Sequence, residues 1–186
     1  MREIEIKARV GELGRIRVAL QQQGVELTET VRHHDVVWGV LGEPSGSGAP
    51  WLRLRTESAG GAVRHLLTFK RSAAAGRQLD SIEYETEVDS PEVVVGMIGE
   101  LGFTLYSDIT KTRQKAQVGD IEICLDSVDG LGDFIEAEKL TSDDANYDQV
   151  AEELWLLLEG MGVTRKDEVT DGYDVLVNKN LGKEWV

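Results

Sequence analysis

The chain of 186 residues is poor in cysteine (one), proline (three) and aromatic residues (6%). A lone cysteine, Cys124, excludes an internal disulfide and any CxxC metal site. Basic residues are scarce too, 20 against 34 acidic ones, for a net charge of −14. Such a surface repels nucleic acid and anionic lipid at long range, so a DNA- or RNA-binding module is not expected. No stretch approaches the roughly 20 consecutive apolar residues that span a bilayer, and no membrane partner is expected. Met1 to Lys7 lacks the apolar run of a signal peptide, which makes the cytoplasm the expected compartment. The 41% hydrophobic and 29% charged composition is that of a globular protein, and the length suits one domain, 1–186.

Periodicity orders the chain. Glu3 to Val10 alternates strictly, with Glu3, Glu5, Lys7 and Arg9 on one face and Ile4, Ile6, Ala8 and Val10 on the other. A helix from Leu13 to about Gln23 carries Leu13, Ile16 and Leu20 on one stripe, with Gly24 as its stop. Further strands are expected near 26–40, 51–56, 63–70, 81–88, 104–116, 120–126 and 133–139. Ser90 and Pro91 open a second helix, whose buried side would be Val94, Met97, Ile98 and Leu101. Two more helices are expected near 144–160 and 171–178. Gly42–Pro50 and Ser72–Gly76 are loops by composition, placed to gate an opening and pin Arg77 near a ligand. Eight strands in hairpin relationships argue an α+β fold with antiparallel pairing.

The polar faces of those strands carry the signal. Arg53 and Arg55 share a face, as do Lys111, Arg113 and Lys115; Glu136 and Glu138 oppose Ile135 and Ala137. A sheet with one solvated face would alternate in the same way. Three features argue for enclosure instead. Like charges recur two residues apart, roughly 6.5–7 Å along a strand, which is costly without a counter-charge between them. The scarce bases fall mostly in strands. The opposite face is apolar, and there are helices enough to cover it. The simplest solution closes the sheet with its charged face inward.

Such an interior holds two clusters. Glu3, Glu5, Glu136 and Glu138, with Asp126 close by, form a set of hard oxygen donors suited to Mg²⁺ or Mn²⁺. Lys7, Arg53, Arg55, Lys70, Lys111 and Arg113 form a basic set that matches the oxygens of a triphosphate.

Glu3-x-Glu5-x-Lys7 resembles the ExExK signature of the CYTH superfamily, the triphosphate tunnel metalloenzymes. Supporting blocks follow in order: Leu52–Arg55, Leu67–Lys70, Ile82–Glu85, Lys111–Arg113, Ile123–Asp126 and Leu131–Glu138. The resemblance implies a closed eight-stranded antiparallel tunnel with helices packed outside. It implies metal binding by Glu3, Glu5, Glu136 and Glu138 with Asp126 nearby, and phosphate binding by Lys7, Arg53, Arg55, Lys70, Lys111 and Arg113. Tyr173 resembles part of the family's C-terminal SYxxLL element, with Gly172 in place of serine; a packing role weighs equally. The family's QxDxYF segment departs here to His33-His34-Asp35-Val36-Val37-Trp38. His33 and His34 point to opposite faces, where surface or packing roles outweigh ligation, and Cys124 is expected to be a small barrel residue.

The implied reaction is metal-assisted hydrolysis of a triphosphate: inorganic tripolyphosphate, thiamine triphosphate or a nucleoside triphosphate. Glu5, Glu138, Lys7 and Arg113 are the expected catalytic residues. A class IV adenylyl cyclase shares these motifs and is the alternative; a non-enzymatic polyphosphate-binding module is the third. A homodimer is left open.

Overall fold

Every strand expected from period and turn chemistry forms, and the eight close into a ring. The computed structural model describes residues 2–43, 48–74 and 77–183. In chain order the elements are β1 (Arg2–Val10), α1 (Leu13–Gln22), β2 (Val31–Val40), β3 (Trp51–Ala59), β4 (Ala62–Ala74), β5 (Arg77–Glu87), α2 (Pro91–Glu100), β6 (Phe103–Val118), β7 (Ile121–Val128), β8 (Gly132–Thr141), α3 (Tyr147–Gly160) and α4 (Tyr173–Asn180). A 3-10 turn at Arg165–Asp167 precedes α4. Around the barrel the order is β1-β5-β4-β3-β2-β6-β7-β8, antiparallel throughout.

Strand β1 closes the ring. It pairs with β8 along its whole length, from Arg2↔Thr141 to Val10↔Asp133, and with β5 over Arg2, Glu3 and Ile4. Where β1 leaves β5, the segment before α4 takes over: Val169 donates its backbone N–H to the Lys7 carbonyl at 2.8 Å, and Ala8 bridges Glu168. No long edge of β1 is left open for another chain to pair with. The β3–β4 hairpin turns on Gly60 and Gly61, both at positive φ (55° and 87°), the geometry two-residue hairpins demand.

The period of two then sorts the side chains. Ile4, Ile6 and Ala8 of β1, Ile121, Ile123 and Leu125 of β7, and Ile135 and Ala137 of β8 face out, into a core built with α1 and α3. Leu13, Ile16 and Leu20 of α1 and Leu154, Trp155 and Leu158 of α3 cover them. Asn146 caps α3 by accepting the Gln149 N–H at 3.2 Å, so this helix starts later than its acidic lead-in suggests. The opposite parity is thereby forced inward, charges included. Among the described residues no helix is long and apolar enough to cross a membrane.

Several expectations need correction. Helix α2 buries Ile98 and half-buries Val94, but Met97 is 60% and Leu101 71% exposed. A single short helix lies over the outer face of β2–β4, and it presents one edge to them. Its Ser90 makes no side-chain cap bond, and Pro91 begins it. Ser72, Ala73 and Ala74 belong to β4 rather than to a loop; residues 75–76, like 44–47 of the other expected loop, lie outside the described residues. Arg77 does not reach the interior. Its guanidinium stacks over Tyr147 of α3, 4.0 Å from the ring centre.

Candidate active site inside the barrel

The inward faces enclose a cavity of about 420 Å³. Glu3, Glu5 and Lys7 of β1, Arg53 and Arg55 of β3, Lys70 of β4, Lys111 and Arg113 of β6, and Glu136 and Glu138 of β8 all line it. Of the site residues expected from the sequence, these converge on one space. Asp126 lies just behind them, fully buried, with both carboxylate oxygens taken by Lys111 (2.8 Å) and Arg113 (2.7 and 2.5 Å).

Strand register explains the pairing. Lys7 stands opposite Glu136, Arg55 opposite Asp35, Lys70 opposite Glu83, and Arg113 opposite Asp126. Each base therefore meets an acid on the neighbouring strand. Lys7 lies 2.9 Å from Glu5 and 3.1 Å from Glu136. Asp35 accepts two parallel bonds of 2.7 Å from Arg55. Lys70 pairs with Glu83, and Arg113 also reaches Glu136. Arg53 donates to Thr68 at 3.1 Å, and Thr68 in turn donates to Glu85 at 2.8 Å.

Two register pairs break the rule. Glu138 stands directly opposite Glu5 of β1 on one side and Glu122 of β7 on the other, acids across adjacent strands. Like charges so placed destabilise a sheet. Oxygens of Glu5, Glu136 and Glu138 lie within 4.8 Å of one another, a separation at which one cation can bind all three. Hard carboxylate oxygens of this kind fit Mg²⁺ or Mn²⁺. A second group, Glu122, Cys124 and Glu138, shares Glu138 with the first.

The local fields differ across the site. Burial, and then Glu3, drive the Glu138 carboxyl well above the usual range; burial, and then Glu136, raise Glu5. Burial and Glu83 push Glu3 to about 7, against the pull of Lys70. Burial acts on Glu136 in the same direction, but Arg113 and Lys7 outweigh it and hold that carboxyl well below its normal value. Burial disfavours the Lys7 ammonium, yet Glu5 and Glu136 more than compensate and raise its pKa. Arg113 and Lys7 thus draw Glu136 toward its ionised form, while burial and the neighbouring acids push Glu3, Glu5 and Glu138 toward the protonated one.

At one end, Tyr173, Leu176 and Val177 of α4 pack on Val37, Ile109, Val128 and Phe134. Val37 and Ile109 also line the cavity, as do Gly172, Tyr173 and Asp174 at the start of α4. Helix α4 therefore stands across this end of the barrel. The Tyr173 ring has Lys7 Nζ at 4.3 Å and Lys111 Nζ at 4.7 Å from its centre, and meets Phe134 edge-on at 5.1 Å.

Sequence reasoning gave some of the residues in this wall no role in the site. Asp35, Glu83, Glu85, Trp51, Lys115 and Glu122 share the cavity. Asp35 was legible by parity, since it alternates with His33 and Val37 against the outward Val36. His33 is fully buried, with Nε2 3.4 Å from Glu57, whereas His34 faces solvent beside Asp108. Burial and the cations Arg55, Lys111 and Arg113 hold the His33 imidazole neutral, with a pKa of about 2.

The frame of the site is a closed antiparallel barrel whose interior pairs acids with bases and brings three acids together that could hold a cation. The CYTH domain matches residues 1–173, and the chain belongs to the CYTH family. It is 26% identical, over 93% of its length and 97% of the relative's, to a Methanocaldococcus jannaschii protein named "Putative adenylate cyclase". A Pyrococcus horikoshii protein of known structure superposes with a TM-score of 0.81 at 25% identity, covering 95% of this chain and 99% of that one. The fold also matches a Hippeastrum protein, HpAC1, whose structure is described as revealing a dominant triphosphatase activity. There the TM-score is 0.63 at 16% identity, over 98% of this chain and 96% of the other.

Proposed function

We propose that the protein is a divalent-metal-dependent hydrolase of a triphosphate, releasing orthophosphate and a diphosphate. The observation that carries this reading is the cavity wall. Seven bases and nine acids line one space: Lys7, Arg53, Arg55, Lys70, Lys111, Arg113 and Lys115 against Glu3, Glu5, Asp35, Glu83, Glu85, Glu122, Glu136, Glu138 and Asp174. With nine acids to seven bases the wall by itself repels a polyanion, and the surplus acids call for cations. Cations and a polyphosphate entering together satisfy both sets.

Glu5, Glu136 and Glu138 are the residues that would hold the metal, with Glu3 beside them. Mg²⁺ or Mn²⁺ bound there would polarise phosphoryl oxygens as a Lewis acid. The chain's own groups do the rest. Lys7, Arg53, Arg55, Lys70, Lys111 and Arg113 clamp the phosphate oxygens, and Lys7 and Arg113 neutralise charge that develops on the transferred group and the leaving oxygen. Glu138 or Glu5 orients water and takes its proton as the new P–O bond forms and the bond to the diphosphate breaks. Asp126 positions Lys111 and Arg113 rather than contacting substrate.

Cyclisation of ATP to cyclic AMP and pyrophosphate is the second reading, favoured by the name of the Methanocaldococcus jannaschii relative. The dominant triphosphatase activity described for the Hippeastrum protein, and the helix standing across one end of the cavity, support hydrolysis of a small substrate. A product assay with Mg²⁺ or Mn²⁺ separates the two. Orthophosphate from tripolyphosphate, thiamine triphosphate or ATP is expected. Cyclic AMP plus pyrophosphate from ATP would establish the cyclase, and tight binding without any product would leave a binding module.

A further inference from the structure

The hydroxyl of Tyr173 is the anomaly in the cavity wall. Its Oη is buried and meets no donor or acceptor among the described residues. Packing does not account for it. The ring contacts that fix Tyr173, edge-on to Phe134 and under the ammonium groups of Lys7 and Lys111, would all survive in a phenylalanine. A buried, unpaired hydroxyl costs stability, and tyrosines enclosed in proteins usually find a partner. The surroundings indicate what partner is missing. Tyr173 lines the cavity with Lys7 and Lys111 against its ring, in the same wall as Glu5, Arg113 and Glu136. The backbone that carries it is fixed as well, because Tyr173 opens α4 immediately after the extended Gly172.

We propose that Tyr173 is a substrate-binding residue whose hydroxyl donates a hydrogen bond to a polyphosphate oxygen held by Lys7 and Lys111. The proposal rests on the polyphosphate reading of the site and adds to it a neutral donor from outside the barrel strands. A phenol suits this position. It adds a directed bond without another cation, and its ring offers a face to the two ammoniums that hold the same ligand. It also makes α4 part of the binding site, beyond its role as a cover.

The test is equilibrium titration of wild-type protein and Tyr173→Phe with Mg²⁺ and the imido-bridged analogue of tripolyphosphate, whose P–N–P links resist hydrolysis. Loss of one hydrogen bond to a charged group predicts a Kd raised on the order of ten- to a hundredfold in the variant. Without ligand, its thermal midpoint should be unchanged or higher, since the unpaired hydroxyl is gone. In wild type, the ¹³Cζ resonance of Tyr173 should move on addition of the analogue. Equal affinity in both proteins, or a resonance that stays put while the analogue binds, would overturn this proposal alone. Failure of the wild type to bind the analogue would overturn the polyphosphate reading and this proposal with it.

Discussion

Asp35 and Arg55 face each other across β2 and β3 and share two parallel hydrogen bonds of 2.7 Å, with both side chains buried. Burial raises the cost of the Asp35 carboxylate, but Arg55 outweighs it and drives its pKa far down. Breaking such a pair leaves an uncompensated charge in the wall. Asp35→Ala is expected to lower unfolding free energy by about 3–5 kcal/mol, read by urea denaturation. A loss below about 1 kcal/mol would show that water reaches Arg55 freely.

The opposing acids Glu5 and Glu138 should behave in the reverse sense. Glu138 is opposed by Glu5 and Glu122 and is buried only at the cost of taking up a proton; Glu138→Gln removes that cost, so the metal-free protein should gain on the order of 1 kcal/mol. The same change should weaken Mg²⁺ or Mn²⁺ binding measured by calorimetry. A variant that loses stability and keeps its metal affinity would contradict the arrangement.

Glu136 stands between Lys7 and Arg113 and belongs to the same carboxylate group. On the proposed mechanism, Glu136→Gln lowers metal-dependent turnover by about two orders of magnitude or more, with the far-ultraviolet spectrum unchanged. Unchanged turnover would remove Glu136 from the chemistry.

Acidity should tune metal affinity. Glu3 titrates near 7 in the folded chain, and Glu5 and Glu138 are raised in the same direction. The native state therefore keeps protons that the unfolded chain gives up above its carboxylate pKa of about 4.3. Linkage then makes this contribution to stability fall as pH rises from about 4.5 to 7. Metal binding must expel those protons, so affinity should tighten over the same window. Calorimetry in buffers of different ionisation enthalpy would detect the released protons; their absence at about pH 6 would refute the assignment.

On the outer face, Ile98→Ala should cost about 2–5 kcal/mol as a core truncation. Met97→Gln, one position away, should stay within about 0.5 kcal/mol by the same denaturant assay.

Much of this site is legible by counting in twos. Once Ile4, Ile6 and Ala8 are assigned to the helical core, Glu3, Glu5 and Lys7 have one direction left, and the same parity turns Arg53, Arg55, Glu136 and Glu138 inward. What alternation does not contain is register. Nothing local says that Arg113 lands opposite Asp126, where Lys111 and Arg113 hold its carboxylate. Burial of Met97 and Leu101 failed because an apolar helix says how much surface it could cover, not how much its neighbours offer. Sequence alone does not decide Tyr173 between packing and function, since only the return of the chain after α3 carries it to Lys7 and Lys111.

Lys7 and Glu136 meet across a pairing that joins the beginning of the chain to a strand near its other end. A contact so distant in sequence closes late, after the intervening loop has lost its freedom. During synthesis, β1 must wait for β8 before the ring can close around the cavity. A chain cut short of β8 lacks Glu136 and Glu138 and leaves Lys7 without its partner across the seam.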